Sequence, residues 1–147
     1  MNISATAASG RTVEVVSVAD LFIGNKTFTD RVYTFTSVGN YPKSCWFIRG
    51  PNGDSHTASN LVQTSIDVPF LCTVYLDFWG GSDHLKQVSE WIEDWSESST
   101  AMPTTFDQYG PGIVMERHFD AGVINLMGNN RLGTYYAFVC PQGILRV

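Results

Sequence analysis

Positive charge is scarce in this chain. It carries three lysines and six arginines against 14 aspartates and glutamates, for a net charge of −5. The basic residues are scattered and form no stripe that could neutralise a phosphate backbone, so a nucleic-acid partner is not expected. The same shortage argues against an anionic membrane surface. Long apolar runs are also missing, since no stretch approaches the roughly 20 residues that cross a bilayer. The first ten residues hold no basic region followed by an apolar run and do not read as a signal peptide. Charge of either sign is low, at 16% of residues, where about 25% is usual. Cysteine is limited to Cys45, Cys72 and Cys140, far apart and without a C-x-x-C pair, which removes the common zinc patterns. Each lies in an apolar, strand-like run. We read them as buried free thiols, with one disulfide and one leftover thiol as the alternative, because an odd count cannot pair fully within a chain.

What the chain does have is glycine and aromatic surface: 13 Gly, 9 Phe, 6 Tyr and 4 Trp, with 44% hydrophobic residues. That mixture points to a β-rich protein. A length of 147 residues fits one domain able to bury a core without staples. Residues 1–10 are small and polar and read as a flexible N-terminal lead-in, leaving 11–147 as a single domain. Alternation of apolar and polar residues predicts strands at Arg11 to Val18, Arg31 to Ser37, Val62 to Val68 and Ile113 to Phe119. Further strands are read at Lys26 to Phe28, Ser44 to Arg49, Leu71 to Trp79, Val123 to Met127, Tyr135 to Cys140 and Ile144 to Val147. Turns fall at Gly39-Asn40-Tyr41-Pro42, Gly50 to Asp54, the tight Ala121-Gly122 turn and Gly128 to Gly133. Pro69 marks a corner. About ten short strands with regular breakers predict an all-β, antiparallel β-sandwich of the jelly-roll kind.

One segment departs from the strand pattern. Between Gln87 and Trp95, residues Val88, Trp91, Ile92 and Trp95 recur at helical spacing, which predicts a short helical segment near 87–95. The polar stretch from Ser96 to Gly112 is a long loop, and such loops often carry function.

No constellation argues for catalysis. G-x-S-x-G is absent, and His56, His84 and His118 have no exposed thiol to activate. Asp54, Asp77, Asp83, Glu90, Glu93, Asp94 and Glu116 contain no evident pair spanning a glycosidic bond. An enzyme is therefore not expected, and neither is a redox or nucleotide cofactor. Asn52, Asp54, Asp77 and Asp83 are oxygen donors that could serve calcium, although no dedicated loop spacing organises them. The aromatic residues carry more. Trp79, Trp91, Trp95 and Tyr109 lie in or beside the irregular 79–112 stretch, and an indole face suits the apolar C–H face of a sugar. Arg49, Asn52, Asp54, Asp77 and Asn129 stand in loops or at strand ends where they could bind hydroxyls. Trp79, followed by two glycines, is the ring most open to solvent on this reading. For Trp91 and Trp95 the competing reading is that their i, i+4 spacing plugs the end of the core.

Several runs taken in order resemble a known group. They are Tyr33 to Ser37, Trp46 to Asp54, Thr73 to Asp77, Glu90 to Trp95, and Arg117 to Asn129 with its F-x-A-G-x-I-x-L-x-G-N pattern. Together they resemble the β-sandwich accessory domains of secreted polysaccharide-active enzymes, similar to galactose-binding-like and carbohydrate-binding modules. The resemblance implies a non-catalytic, lectin-like module whose partner is a carbohydrate or polysaccharide, and an extracellular setting. The competing expectation is a structural or protein-interaction module, including assembly into a homo-oligomer through exposed strand edges.

Overall fold

A computed structural model describes residues 2–131 and 133–142. The strand read at Ile144 to Val147, and Leu132 of the loop before Gly133, lie outside the described residues. In chain order the strands are β1 (Ser4–Ala7), β2 (Glu14–Ser17), β3 (Phe35–Ser37), β4 (Trp46–Arg49), β5 (Val62–Val68) and β6 (Cys72–Phe78). After helix α1 (Ser82–Gln87) come β7 (Ser96–Glu97), β8 (Thr105–Phe106), β9 (Ile113–Phe119), β10 (Gly122–Met127) and β11 (Tyr136–Pro141). A six-stranded antiparallel sheet runs β2-β4-β11-β6-β9-β7, and a three-stranded sheet, β1-β5-β10, packs on it. The protein is an all-β antiparallel sandwich, as the breaker spacing predicts.

Two pairings explain how the chain turns from one sheet to the other. β6 pairs with β9 in the six-stranded sheet, and β5 pairs with β10 in the three-stranded sheet. The four strands thus form one long double ribbon, folded at Pro69 to Leu71 and at Asp120-Ala121. Cys72 faces Phe119 on one side of the fold and Val68 faces Gly122 on the other. Ala121-Gly122 is therefore a corner between sheets, and Gly122 takes a φ of 139°, a region glycine enters freely.

The six-stranded sheet is covered on both faces. Ile48, Val74, Leu76, Phe78 and Val139 meet Ile66, Val68, Ile124 and Leu126 of the smaller sheet. Phe47, Tyr136, Phe138 and Cys140 point the other way, into an aromatic layer with Phe28, Phe35, Tyr41 and Phe106. Pairing of β3 with β8 helps close that second layer. Cys45, just before β4, forms a disulfide with Cys140 of the neighbouring strand β11. Cys72 is a buried free thiol. The reading of three free thiols is thereby corrected to one disulfide and one thiol. The pleat gives the reason: Cys72 and Cys140 face opposite layers of the same sheet, whereas Cys45 and Cys140 share one.

Other expectations differ from the structure: Lys26 to Phe28 forms no strand beyond an isolated bridge at Lys26, and the loop read from Ser96 to Gly112 holds β7 and β8. Residues 4–7, read as part of a flexible lead-in, form β1 and pair with β5 in register Ser4↔Asp67 to Ala7↔Thr64. Ile3 and Ala7 are buried there, and this anchoring supplies what polar composition hid. The helix begins earlier than predicted, at Ser82, and ends at Gln87, with a 3-10 turn at Ile92–Asp94. Helical spacing still identified the buried side chains correctly, since Val88, Trp91 and Trp95 all enter the core.

Candidate functional site

The residues proposed from sequence do not converge on an open platform. Trp91 and Trp95 are each 8% exposed, in contact edge to face, and Trp91 donates its Nε1–H to the Gly128 carbonyl at 3.1 Å. They close the end of the core, the second of the two roles weighed for them. Trp79 is half-buried, packed against Phe106, Tyr109 and His84. Its Nε1–H donates to Thr134 O at 2.8 Å, and Gly133 lies flat against the ring with no room for a Cβ. The expectation of an open indole at Trp79 is corrected by that packing. Asn52 joins the same neighbourhood, its Oδ1 accepting from Thr134 N at 2.9 Å.

The remaining candidates are occupied by partners within the fold. Asp54 is 3% exposed and accepts from Arg11 at 2.6 Å and Ser9 at 3.0 Å. Arg49 donates to Lys26 O at 2.9 Å and pairs with Glu14 at 3.0 Å. Asn129 is fully buried. Its Nδ2 donates to Gln63 at 2.9 Å, and its Oδ1 accepts from the Tyr135 N–H at 3.2 Å and lies 2.7 Å from His84 Nε2. Asp83 is exposed on α1. Among the described residues no three His, Cys, Asp or Glu side chains gather as a metal site.

The Gly128-Asn129 pair has a packing reason. A Cβ on Gly128 would run into the carbonyl oxygens of Thr57 and Ala58, which are backbone and cannot swing aside. Gly128→Ala should lower stability by about 2–3 kcal/mol, the range of overpacked cores, read as a lower urea midpoint at unchanged m-value. An unchanged midpoint would show that the 57–61 segment yields easily.

A mixed aromatic and polar cleft lies elsewhere, over the second face of the six-stranded sheet. It measures about 140 Å³ and is lined by Asn40, Tyr41, Pro42, Tyr75, Thr100 and Ala101. Tyr41 stacks on Phe138 at 3.8 Å between ring centroids and meets Tyr75 edge to face at 5.5 Å. Asn40 fastens the opposite wall, donating to Thr100 O at 2.9 Å and accepting from Met102 N at 2.7 Å. A second depression of about 200 Å³, against Ser4, Ala5, Thr6, Ser65, Asp67 and Val123 on the smaller sheet, has no aromatic wall.

Asp77 sits close to the first cleft. It lies two residues from Tyr75 on β6 and on the same face, about 7 Å along the strand. It is fully buried, and its Oδ2 accepts both the Thr104 N–H at 2.7 Å and the Thr104 hydroxyl. Among the described residues Oδ1 has no partner, and neither does the buried Tyr41 hydroxyl. Burial raises the Asp77 carboxyl to about 6, against the opposing Thr104 hydrogen bonds. Burial first, then the nearby Asp77 and Tyr75, hold the Tyr41 phenol well above its ordinary range. Burial and Glu116, opposite Tyr75 in the β6–β9 register, raise Tyr75 as well.

Sequence reasoning missed Tyr41 and Tyr75. Tyr41 was read only as part of a turn, and Tyr75 as one of nine residues in an apolar strand. A period-two signal was available, because Tyr75 and Asp77 fall on the face opposite Val74, Leu76 and Phe78.

This architecture defines the chain as a β-sandwich module. No protein-family model and no curated protein matches the sequence. Among solved structures, it is similar to part of a beta-glucuronidase from glycoside hydrolase family 2, with a TM-score of 0.60 at 15% identity. The match covers 94% of this chain and 14% of the enzyme's, so the likeness concerns the fold of one small portion of that protein.

Proposed function

We propose that the chain is a non-catalytic carbohydrate-binding module that holds a sugar ring in the Tyr41–Tyr75 cleft. The observation that carries this reading is the combination, in one depression, of two tyrosine rings with the polar groups of Asn40 and Thr100. Aromatic faces receive the C–H side of a pyranose, and polar groups at the rim orient its hydroxyls. The likeness to a portion of a glycoside hydrolase supports a carbohydrate ligand in general, without carrying over that enzyme's own substrate. Binding without catalysis is favoured because Asp77, two residues from Tyr75 on the same face, is buried beneath Thr104, out of reach of a glycosidic oxygen. The Cys45–Cys140 disulfide suits an oxidising, extracellular setting.

The test is a glycan array with an insoluble-polysaccharide pull-down, run with calcium and with chelator. Saturable binding is expected in both arms. Tyr75→Ala should weaken it at least about tenfold, while costing about 1–2 kcal/mol of stability because the ring is only half-buried. Undiminished binding by Tyr75→Ala would remove the cleft as the site. A second reading, docking to a protein partner, is favoured by Phe22, Ile23 and Val32, which are 61%, 69% and 91% exposed in one surface segment. Sedimentation as a dimer, with no glycan bound, would select it.

A further inference from the structure

We propose that the Tyr41–Tyr75 cleft accepts uncharged or amino sugars and rejects uronic acids, because two carboxylates lie under and beside it and none of its described lining residues is a cation. This rests on the sugar-binding reading above and names the class of ligand for that site. The geometry comes from the strand register. Tyr136 of β11 and Val114 of β9 flank Asp77 on one face. One step along the same face, Phe138 and Glu116 flank Tyr75. The pleat therefore places the Asp77 and Glu116 carboxyls on the same side of the sheet as the Tyr75 ring. None of the six lining residues is lysine or arginine.

The cations nearby do not offset this. Lys43 follows Pro42 in the chain but is exposed and is not part of the cleft wall. His118 stands two residues beyond Glu116 and is held by Thr73 at 2.8 Å and by Gln142 at 3.2 Å. The Tyr41 and Tyr75 phenols both sense acid groups, Asp77 and Glu116 respectively, as a push toward the protonated form. That is the sign of a negative local field, and a third carboxylate brought in on a sugar would meet it in a site where screening by water is reduced. A hydroxymethyl or ammonium group at the same ring position would not.

The experiment titrates the folded protein at pH 7 and low salt with methyl glucoside, methyl galactoside and methyl mannoside, the matching methyl uronides, and methyl glucosaminide. Backbone amide shifts of Tyr41, Tyr75 and Thr100 in heteronuclear NMR report occupancy of the cleft. At least one neutral glycoside should shift these amides saturably. Its uronide should bind at least about tenfold more weakly, and the amino sugar as well or better. Glu116→Gln, a change at a half-buried position on the sheet surface, should narrow the gap about threefold, and 0.5 M salt should narrow it too. Uronides that bind as tightly as neutral glycosides, with the same amides moving, would overturn the charge selection and leave sugar binding standing. A panel in which no glycoside moves these amides would overturn both.

Discussion

Replacing Cys45 and Cys140 together by alanine is expected to lower the unfolding free energy by about 4–5 kcal/mol. The bond joins residues 95 apart in sequence, and in the chain-entropy account a loop of that size withdraws about that much freedom from the unfolded chain. A domain of ordinary stability, roughly 5–15 kcal/mol, would lose a third or more of its margin. The folded side of the balance changes less. The disulfide joins Cys45, just before β4, to β11, where the aromatic layer of Phe47, Tyr136 and Phe138 continues to pack. Nor should the remaining thiol take over. Cys72 faces the opposite layer of the sheet, and burial raises its thiol to about 11, which leaves little thiolate for exchange. Urea unfolding followed by tryptophan fluorescence measures the effect, with wild type in reductant as the matching control. A loss under 1 kcal/mol in both would mean that the unfolded chain holds its ends together without the bond.

The disulfide also shows where sequence reading stops. Cys72 and Cys140 lie in strands as expected and Cys45 just before one, but the pairing requires β4 and β11 to be neighbours, a non-local fact that composition and spacing do not carry. Local patterning was enough elsewhere. β5 and β9 match their predicted limits residue for residue, because alternation and flanking breakers act within each strand. β6 and β11 belong to a sheet covered on both faces, so their residues are almost continuously buried and burial no longer follows a period of two. That loss concealed the cleft. In C-T-V-Y-L-D-F the spacing separates Thr73, Tyr75 and Asp77 from Val74, Leu76 and Phe78, but nothing local tells that the first set faces an aromatic layer rather than solvent, so Tyr75 and Asp77 are not marked as neighbours of a common site. The tryptophans misled for a related reason. A large ring beside glycines reads as exposed, yet at Trp79 the glycine contact is Gly133, distant in sequence, whose missing side chain makes space for the ring.

Over the range pH 4 to 6, wild-type stability should change little through two buried groups whose titrations oppose each other. His84 is fully buried. Its Nε2 meets Asn129 and its Nδ1 has no partner among the described residues, so a second proton would put a charge in the core. Burial lowers its pKa to about 4, against the Asn129 hydrogen bond. Between that value and the unfolded value near 6.5 the unfolded chain binds the extra proton, and stability from His84 is lost as pH falls, by about 3 kcal/mol in full. Asp77 works in the reverse sense. With its pKa raised from 3.8 to about 6, the folded chain holds the proton longer, and stability is lost as pH rises through that window, again by about 3 kcal/mol.

Single substitutions should separate the two slopes. Asp77→Asn keeps an oxygen for Thr104 and removes the titration, so its stability should climb by about 3 kcal/mol relative to wild type between pH 4 and 6.5. His84→Gln should fall by a similar amount relative to wild type from pH 4 to 6.5. Any packing penalty shifts each curve without tilting it, so the slope of the difference from wild type is the readout. Urea midpoints at half-unit pH steps supply it, and the other carboxylates cancel in the difference. Parallel curves for Asp77→Asn and wild type would show that Asp77 is ionised at ordinary pH in the fold as in the unfolded chain. A tilted curve would establish that the protein carries, beside its aromatic cleft, a carboxylate whose ionisation opposes folding at neutral pH. Such groups concentrate at functional sites, so that slope would bear on the ligand as much as on the fold.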